Sequence, residues 1–267
     1  MIQSSDTRTY VVTGAASGIG KAAKSALEAL GHRVIGVDLT NSDISADLAS
    51  AEGRSSLRQS IQQLGVSGLD GVLAIAGVSN ETSIPVRVNY FGAIATLEGL
   101  RPLLSSSAAP RAVAVSSFAA IAPCDDELLE ALRSGNEEAA VARADAVAAS
   151  GSGLLIYAST KRAISEWVRQ ASISEEWAGA GIPLNAVAPG VIITPLTTDI
   201  LSTAESRAEI MKMVPMPLNG AAQPEVIADA LVWLTSAQNT HVTGQVLFVD
   251  GGAEATIRGP RIFDERG

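Results

Sequence analysis

A tyrosine and a lysine four positions apart, Tyr157 and Lys161, are the residues of this chain best suited to proton chemistry. Chance would give a Tyr-x-x-x-Lys pair only about 0.04 times in a chain with three tyrosines and four lysines, so the spacing is informative. Residues i and i+4 share one face of a helix, which sets the Lys161 ammonium beside the Tyr157 phenol. A phenol has an ordinary pKa of about 10, and a nearby cation lowers that pKa. The pair therefore predicts a general acid and base that works near neutral pH.

A glycine-rich segment near the start of the chain, TGAASGIG (13–20), predicts a site for a phosphate group. It follows an apolar, strand-like run and opens a helical stretch. A pyrophosphate needs backbone N–H groups at close range and the positive end of a helix, and glycines remove the side chains that would obstruct it. A tight strand-to-helix turn also needs glycine for purely conformational reasons. The position of the motif between a strand and a helix favours the phosphate site.

Asp38 ends the second strand-like run, about twenty residues beyond the glycine turn. A carboxylate there can accept both hydroxyl hydrogens of an adenosine ribose, and it would repel a 2′-phosphate. Neither 39–41 nor 15–17 contains a basic residue that would offset the repulsion. The sequence thus predicts NAD rather than NADP, with a solvated strand-end aspartate as the alternative.

The elements that must position these residues alternate between β-rich runs and Ala/Leu-rich helical stretches, which indicates βαβ units and a parallel sheet. The strand-like runs lie at 9–13, 33–38, 71–76, 111–116, 183–187 and 245–250. The helical stretches lie near 19–30, 50–64, 87–104, 155–178 and 224–236. Two segments interrupt the alternation. Residues 122–153 are acidic and Ala-rich and predict a helical insertion, and the proline-containing segment 193–222 predicts a loop or substrate lid.

Composition narrows the class of protein. A length of 267 residues with 47% hydrophobic content favours one α/β domain over 1–267. A net charge of −9, with no clustering of basic residues, argues against a nucleic-acid partner. One cysteine, Cys124, and two histidines exclude a disulfide framework and a clustered His/Cys metal site. The chain begins without a basic segment followed by an apolar run, and it lacks a long uncharged apolar stretch, so we expect a cytoplasmic protein that does not enter a membrane.

Seven motifs occur in the order found in short-chain dehydrogenases/reductases, and the chain resembles that family over about residues 9–252. The motifs are TGAASGIG (13–20), LAIAG (73–77), VNYFGA (88–93), VSS (115–117), YASTK (157–161), NAVAPG (185–190) and VDGG (249–252). The insertion before Tyr157 is similar to that of the bacterial 3α-hydroxysteroid dehydrogenase/carbonyl reductase subgroup. The resemblance implies a Rossmann-like, doubly wound parallel sheet of seven strands, with helices on both faces and a helical insertion before the tyrosine helix.

The resemblance also implies roles for individual residues. Ser117, rather than Ser116, would donate to the substrate oxygen, Lys161 would also bind the nicotinamide ribose, and Asn89 would hold a water in a proton relay. From the residues alone, Ser117 could instead cap the following helix, and Asn89 could be a helix-interior residue bonded to a neighbouring strand. The cofactor-binding residues that the resemblance implies are Gly14, Ser17, Gly18, Ile19, Gly20, Asp38, Leu39, Asp47, Leu48, Ala76, Gly77, Asn89, Tyr157, Lys161, Pro189, Gly190, Ile192 and Thr194.

The predicted activity is NAD(H)-dependent interconversion of a secondary alcohol and a ketone. The apolar side chains of 193–218 suit a hydrophobic or steroid-like substrate, although they could equally form the inner face of a lid helix. A different cyclic alcohol, a diol, an acyl derivative or a small ketone is the nearest alternative substrate. A dinucleotide-sensing regulator without catalysis is the alternative from another class of protein, although such proteins usually lack the Tyr/Lys pair.

One departure from the family pattern concerns assembly. Tyr157 follows Ser117 by 40 positions, far more than in ordinary relatives. In those relatives the tyrosine helix takes part in subunit packing, so extra helices beside it would obstruct the usual tetramer. We therefore expect a homodimer.

Overall fold

The computed structural model describes residues 7–260, and within them seven strands form one parallel sheet. The strands are β1 (Thr9–Thr13), β2 (Arg33–Asp38), β3 (Ile44–Ser45), β4 (Gly71–Ala74), β5 (Arg111–Val115), β6 (Leu184–Pro189) and β7 (Val246–Val249). Their order across the sheet is β3-β2-β1-β4-β5-β6-β7, and every neighbouring pair is parallel. The predicted doubly wound parallel sheet is confirmed.

Helices connect the strands and carry the insertion. The α-helices are α1 (Gly18–Ala29), α2 (Ala51–Gln63), α3 (Ala93–Leu104), α4 (Asp126–Arg133), α5 (Glu137–Ala149), α6 (Leu154–Ala171), α7 (Ala204–Met213), α8 (Pro224–Thr235) and α9 (Ala253–Arg258). Two π-helical segments lie at Val86–Gly92 and Glu175–Gly179, and two 3₁₀ turns lie at Phe118–Ile121 and Pro195–Thr197. None of the helices in residues 7–260 has both the length and the apolar character needed to cross a membrane.

Both faces of the sheet are covered because successive side chains of a strand point to opposite sides. In β1, Val12 packs with α1 and α8, while Val11 faces the side covered by α2, α3 and α6. All residues of β1 after Thr9 are buried, as expected for a parallel strand between two layers of helices.

The change of winding direction between β1 and β4 opens a crevice at the carboxyl ends of the strands. The buried Thr13 joins the two ends, since its Oγ1 accepts hydrogen bonds from the backbone N–H groups of Ile75, at 2.9 Å, and Ala76, at 3.1 Å. Ligands of open α/β sheets bind at such crevices, so this edge is where a site is expected.

The predicted helical insertion consists of α4 and α5. Asp125 caps α4 by accepting from the Leu128 N–H at 2.8 Å, and it forms two hydrogen bonds with the Arg143 guanidinium of α5, at 2.8 and 2.7 Å. The Arg143 guanidinium holds the pKa of Asp125 below its ordinary value. Buried leucines of α4 belong to the same core as α6, so the insertion rests on the helix that carries Tyr157.

Three elements differ from the sequence-based expectations. The strand β3 is only two residues long, too short to show a periodicity. The helix expected over 155–178 ends at Ala171, and a π-helical segment follows it. The segment 193–222, expected as a loop or lid, contains the helix α7.

At the opposite edge of the sheet, Arg8 joins distant parts of the chain. Its Nη2 donates to the backbone oxygens of Asp70 at 3.1 Å, Ala109 at 2.8 Å and Thr235 at 3.3 Å. Its Nε donates to the Tyr10 hydroxyl at 2.7 Å. This guanidinium ties the start of the first strand to the end of α8.

Candidate active site

One cleft at the carboxyl edge of the sheet brings together every site residue predicted from the sequence except Gly20 and Asn89. The cleft is also lined by residues that the sequence did not assign to it, Val37, Ala46, Ile75, Val78, Val88, Val115 and Ser116, and by Pro195, Leu196 and Thr197 of the predicted substrate lid. Most of these are apolar neighbours of predicted residues. Val37, Ala46 and Val78 lie outside the family motifs, and only the direction of the strands could have indicated them.

The glycine turn presents free donors to the cleft. The first hydrogen bond of α1 runs from the Lys21 N–H to the Ser17 oxygen, and the N–H groups of Gly18, Ile19 and Gly20 have no acceptor among residues 7–260. Free N–H groups at the positive end of a helix are suited to an anion. Gly14 has a φ of +70°, and a Cβ there would lie 3.0 Å from the Ala76 Cα.

Gly20 acts behind the turn instead of lining the cleft. A Cβ at this position would lie 2.0 Å from the Gly14 carbonyl oxygen, so a side chain would push the turn away from α1. Its place in the motif is explained by close packing of the turn on the helix, which is the part assigned to the third glycine of such turns.

Asp38 faces the cleft at the end of β2 with its carboxylate already oriented. Its Oδ2 accepts from the Ala16 N–H at 2.9 Å, and its Oδ1 accepts from the Leu39 N–H at 2.7 Å. The side chain therefore fixes the glycine turn, and a carboxylate can accept more hydrogen bonds than these two. Asp47 and Leu48, which follow β3, lie at the same end of the cleft.

Tyr157 and Ser117 approach each other from two elements, α6 and the turn after β5. Burial raises the pKa of Tyr157, and a hydrogen bond with the Ser117 side chain acts in the opposite direction. Ser117 also caps the 3₁₀ turn by accepting from the Ala119 N–H at 3.1 Å. This is the capping role that the sequence left open for Ser117. Ser116 instead turns away, with its Oγ 3.0 Å from the Lys161 carbonyl oxygen and 2.7 Å from the Ser165 hydroxyl.

Lys161 is 3% exposed, and burial lowers its pKa to about 8. Its Nζ donates to the Val115 carbonyl oxygen at 2.9 Å and lies 5.6 Å from the centroid of the Tyr157 ring. The sequence predicted that this ammonium would lower the pKa of the Tyr157 phenol. That prediction is wrong for the protein alone, because desolvation of the phenol is the larger influence and raises its pKa.

Asn89 lies beside the cleft, on the π-helical segment Val86–Gly92. Its Oδ1 accepts from the Val78 N–H at 2.8 Å, and its Nδ2 donates to the Val78 carbonyl oxygen at 2.9 Å and to the Thr160 hydroxyl at 3.3 Å. A Cβ on Gly77 would lie 3.2 Å from Asn89 Oδ1 and 3.5 Å from Lys161 Nζ. The amide therefore fixes the backbone just beyond β4, and its predicted part in a water relay stays a prediction.

The lid closes one side of the cleft against the glycine turn. A Cβ on Gly18 would lie 3.3 Å from the Thr194 Cγ2, so a side chain at this glycine would push the lid outward. Thr197 holds the start of the lid by accepting from the Thr194 N–H at 3.0 Å. An isolated bridge between Ile192 and Ala222 joins the two ends of the segment.

An apolar wall continues from the cleft toward α7. Its buried members are Phe118, Val191, Met216 and Ala253, and partly buried side chains of the lid pack on them, among them Leu201, Ile210, Met211 and Val214. Leu196 lines the cleft and is 45% exposed, while Met213 is 64% exposed. The lid segment therefore both packs inward and leaves apolar surface uncovered.

These features together fit a dinucleotide: free helix-end N–H groups at a glycine turn, an oriented carboxylate at a neighbouring strand end, and a buried lysine beside a tyrosine. The fold and site define a dinucleotide-binding α/β protein with a tyrosine and a buried lysine side by side in the cleft.

Comparison with known proteins agrees with this class. A family model described as enoyl-(acyl carrier protein) reductase matches residues 14–254. The chain is 35% identical over 253 residues to the 3-alpha-hydroxysteroid dehydrogenase/carbonyl reductase of Comamonas testosteroni, covering 93% of this chain and 97% of that protein. It is 30% identical to the cis-4-hydroxycyclohexanecarboxylate dehydrogenase of Sinomonas cyclohexanicum, covering 93% and 97%.

A solved structure is similar as well. The crystal structure of the 3-alpha-hydroxysteroid dehydrogenase from Pseudomonas sp. B-0831 complexed with NADH shares 38% identity with this chain at a TM-score of 0.84, covering 94% of this chain and 99% of that one. This chain belongs to the short-chain dehydrogenase/reductase family, and it is an oxidoreductase. The resemblance to the bacterial 3α-hydroxysteroid dehydrogenase/carbonyl reductase subgroup is confirmed.

Proposed function

We propose that this protein is an NAD(H)-dependent oxidoreductase that interconverts a secondary alcohol and a ketone, of the 3α-hydroxysteroid dehydrogenase/carbonyl reductase type. The observation that carries the proposal is the meeting of Tyr157, Ser117 and Lys161 in the cleft that also holds the glycine turn and Asp38. Relatives at 35% and 38% identity are named as hydroxysteroid dehydrogenases, which supports the same activity.

NAD(H) is the cofactor that the cleft fits best. The free N–H groups of the glycine turn would hold its pyrophosphate, and Asp38 would accept from its adenosine ribose while repelling a 2′-phosphate. The NADH reported for the Pseudomonas structure supports this choice. When bound, the nicotinamide ring of this cofactor gives or takes the hydride.

Tyr157 moves the proton in this mechanism. In the reductive direction its hydroxyl donates to the ketone oxygen while Ser117 donates a hydrogen bond to the same atom. A phenol with its ordinary pKa of about 10 is protonated near neutral pH, and burial raises the pKa of Tyr157 further. In the oxidative direction the phenol first gives up its own proton through the relay behind it, and the resulting phenolate oxygen takes the proton from the alcohol.

Lys161 and Asn89 act from behind the tyrosine. The Lys161 ammonium lies beside the Tyr157 ring and would bind the nicotinamide ribose. Asn89 holds the backbone of Val78 next to it and would keep a water for proton return to Lys161. Both groups are nearly inaccessible, which keeps their positions fixed before substrate arrives.

A hydrophobic ketone or alcohol is the substrate class that the apolar wall favours. Phe118, Met216 and the lid side chains would bury an apolar ring system, and the exposed Leu196 and Met213 leave room for adjustment around it. A cyclic alcohol other than a steroid is the second candidate, supported by the 30% identical cyclohexanecarboxylate dehydrogenase. A diol, an acyl derivative or a small ketone would fit the same chemistry but would leave the apolar wall unused. A regulator without catalysis is not favoured, because the whole proton-transfer set is present.

The test is a substrate panel. NADH oxidation is followed with steroidal 3-ketones, quinones, cyclohexanones and small acyclic ketones, with Tyr157→Phe as the control for background oxidation. We expect the highest kcat/KM for a steroidal or other fused-ring ketone. Higher kcat/KM for small acyclic ketones would refute the hydrophobic substrate class, and no turnover of any compound would refute the proposed activity.

We also propose a cytoplasmic homodimer with one domain over 1–267. The insertion helices α4 and α5 cover part of α6, the helix that ordinary relatives use for tetramer packing. Light scattering of the purified protein measures the mass directly. A mass of two chains is expected, and a mass of four would refute the assembly.

A further inference from the structure

The insertion is connected to the Asp38 end of the cleft through a series of contacts between charged side chains. The loop 47–49 follows β3, and Asp47 and Leu48 line the cleft there. Its carbonyl groups are held by Arg54 of α2, whose Nη1 donates to the Leu48 oxygen at 3.2 Å and to the Ala49 oxygen at 3.4 Å. This loop therefore depends on where the Arg54 guanidinium is placed.

Glu137, the first residue of α5, holds that guanidinium from the other side. Its Oε2 accepts from Arg54 Nη2 at 2.6 Å, and its Oε1 accepts from Arg87 Nη1 at 3.0 Å. Arg87 belongs to the π-helical segment that also carries Asn89. One carboxylate of the insertion thus joins the loop 47–49, by way of Arg54, to a segment beside the catalytic groups.

The Glu137 carboxylate is needed to hold the Arg54 guanidinium in this position. The two contacts to loop carbonyls are long, and a flexible side chain loses conformational entropy when it is held in one rotamer. The Arg54 side chain is only 10% exposed, so its pair with Glu137 is less screened by water than an ordinary surface pair. Leu48 is further confined by Gly92, where a Cβ would lie 3.1 Å from the Leu48 Cβ.

We propose that Glu137 is a positioning residue for the cofactor: through Arg54 it fixes the loop 47–49 that contacts the adenine half of the dinucleotide. The inference rests on the proposed function: Asp38 would accept from the adenosine ribose, and Asp47 and Leu48, which the family resemblance implies as cofactor-binding residues, line the cleft beside it. It gives the insertion a part in cofactor binding as well as in assembly. A carboxylate that only fastened the insertion to the body would have no preference for one half of the dinucleotide.

The test compares binding of the two halves of the cofactor by isothermal titration calorimetry. The probes are NADH, ADP-ribose, which has the adenine half, and reduced nicotinamide mononucleotide, which lacks it. The variant is Glu137→Gln, which keeps an acceptor but removes the charge. The matched control is Glu138→Gln, because Glu138 is exposed on the same turn and has no ion pair within residues 7–260.

We expect Glu137→Gln to weaken the binding of NADH and of ADP-ribose by the same factor, about fivefold. The affinity for reduced nicotinamide mononucleotide should not change. The kcat at saturating NADH should stay at the wild-type value, and Glu138→Gln should match wild type throughout. In Arg54→Met protein, which cannot form the ion pair, adding Glu137→Gln should weaken ADP-ribose binding no further, because the two residues act through one contact.

Equal affinity of wild type and Glu137→Gln for ADP-ribose would overturn the inference, and so would an equal weakening of all three probes. If Glu137→Gln does not fold, Glu137→Asp replaces it, with the same pattern expected at a smaller size. Wild-type protein that binds neither NADH nor ADP-ribose would instead overturn the proposed function, and this inference with it.

Discussion

The Lys161 ammonium lies 5.6 Å from the centre of the Tyr157 ring, while its hydrogen bond goes to the Val115 carbonyl oxygen. The lysine therefore stands over the ring without bonding to the phenol oxygen. In the protein alone, burial raises the pKa of the phenol and lowers that of the amine. Protonation of the two groups is governed mainly by their removal from water.

Tyr157→Phe tests the proton donor. The change removes one oxygen, so we expect turnover of the best ketone to fall about a thousandfold while NADH affinity stays within twofold of wild type. Steady-state kinetics and calorimetric NADH titration measure the two quantities. Turnover equal to wild type would remove Tyr157 from the mechanism.

Alanine substitutions at the neighbouring serines, Ser116 and Ser117, should affect different quantities: the free energy of unfolding and the kcat. Ser117→Ala removes the hydroxyl beside Tyr157, and we expect kcat to fall about a hundredfold. Ser116→Ala removes buried hydrogen bonds to Lys161 and Ser165 and should lower the free energy of unfolding by about 1 kcal/mol with a much smaller loss of kcat. Kinetics and chemical denaturation of both variants check the pair. The reverse pattern would assign the catalytic role to Ser116.

Lys161 predicts a pH dependence of stability. Burial lowers its pKa to about 8, whereas the unfolded chain keeps the ordinary value of about 10.4. Between these values the unfolded chain holds a proton that the folded protein has lost, so the free energy of unfolding should rise with pH across this window, by roughly 3 kcal/mol in total. The raised pKa of Tyr157 affects the free energy of unfolding only above about pH 10, the ordinary pKa of a tyrosine.

Denaturation from about pH 7.5 to about pH 9.5 in wild type and Lys161→Met isolates this contribution, because other groups titrate equally in both. The rise should be present in wild type and missing in the variant. Parallel curves would show that Lys161 keeps an ordinary pKa.

Asp38 predicts the choice between cofactors. We expect wild type to use NADH with a kcat/KM at least a hundredfold above that for NADPH, because a carboxylate opposes the added phosphate. Asp38→Ser should narrow the ratio about tenfold or more. It should also loosen the glycine turn, since Asp38 holds the Ala16 N–H, so activity with NADH falls as well. A ratio unchanged in Asp38→Ser would place the discrimination elsewhere.

The sequence predicted the sheet well because each long strand is an apolar run between helical stretches. Most residues predicted for the site lie around one cleft because they belong to recognisable motifs, while their roles stay predictions. The strand β3 carries too few residues for a pattern. Lid residues such as Leu196 and Thr197 reach the cleft through the path of the chain rather than through a motif. The direction of the Tyr157 pKa was predicted wrongly because neighbouring charge can be read from spacing, whereas burial depends on the whole packed structure.

The guanidinium of Arg8 bears on how the chain acquires its fold during synthesis. One of its carbonyl partners, Thr235, lies 227 residues further along the chain. A ribosome must therefore extrude the chain past Thr235 before Arg8, at the start of the first strand, can complete its contacts. Such distant pairings slow folding and leave early apolar strands waiting for their neighbours, a period in which chaperones protect nascent proteins.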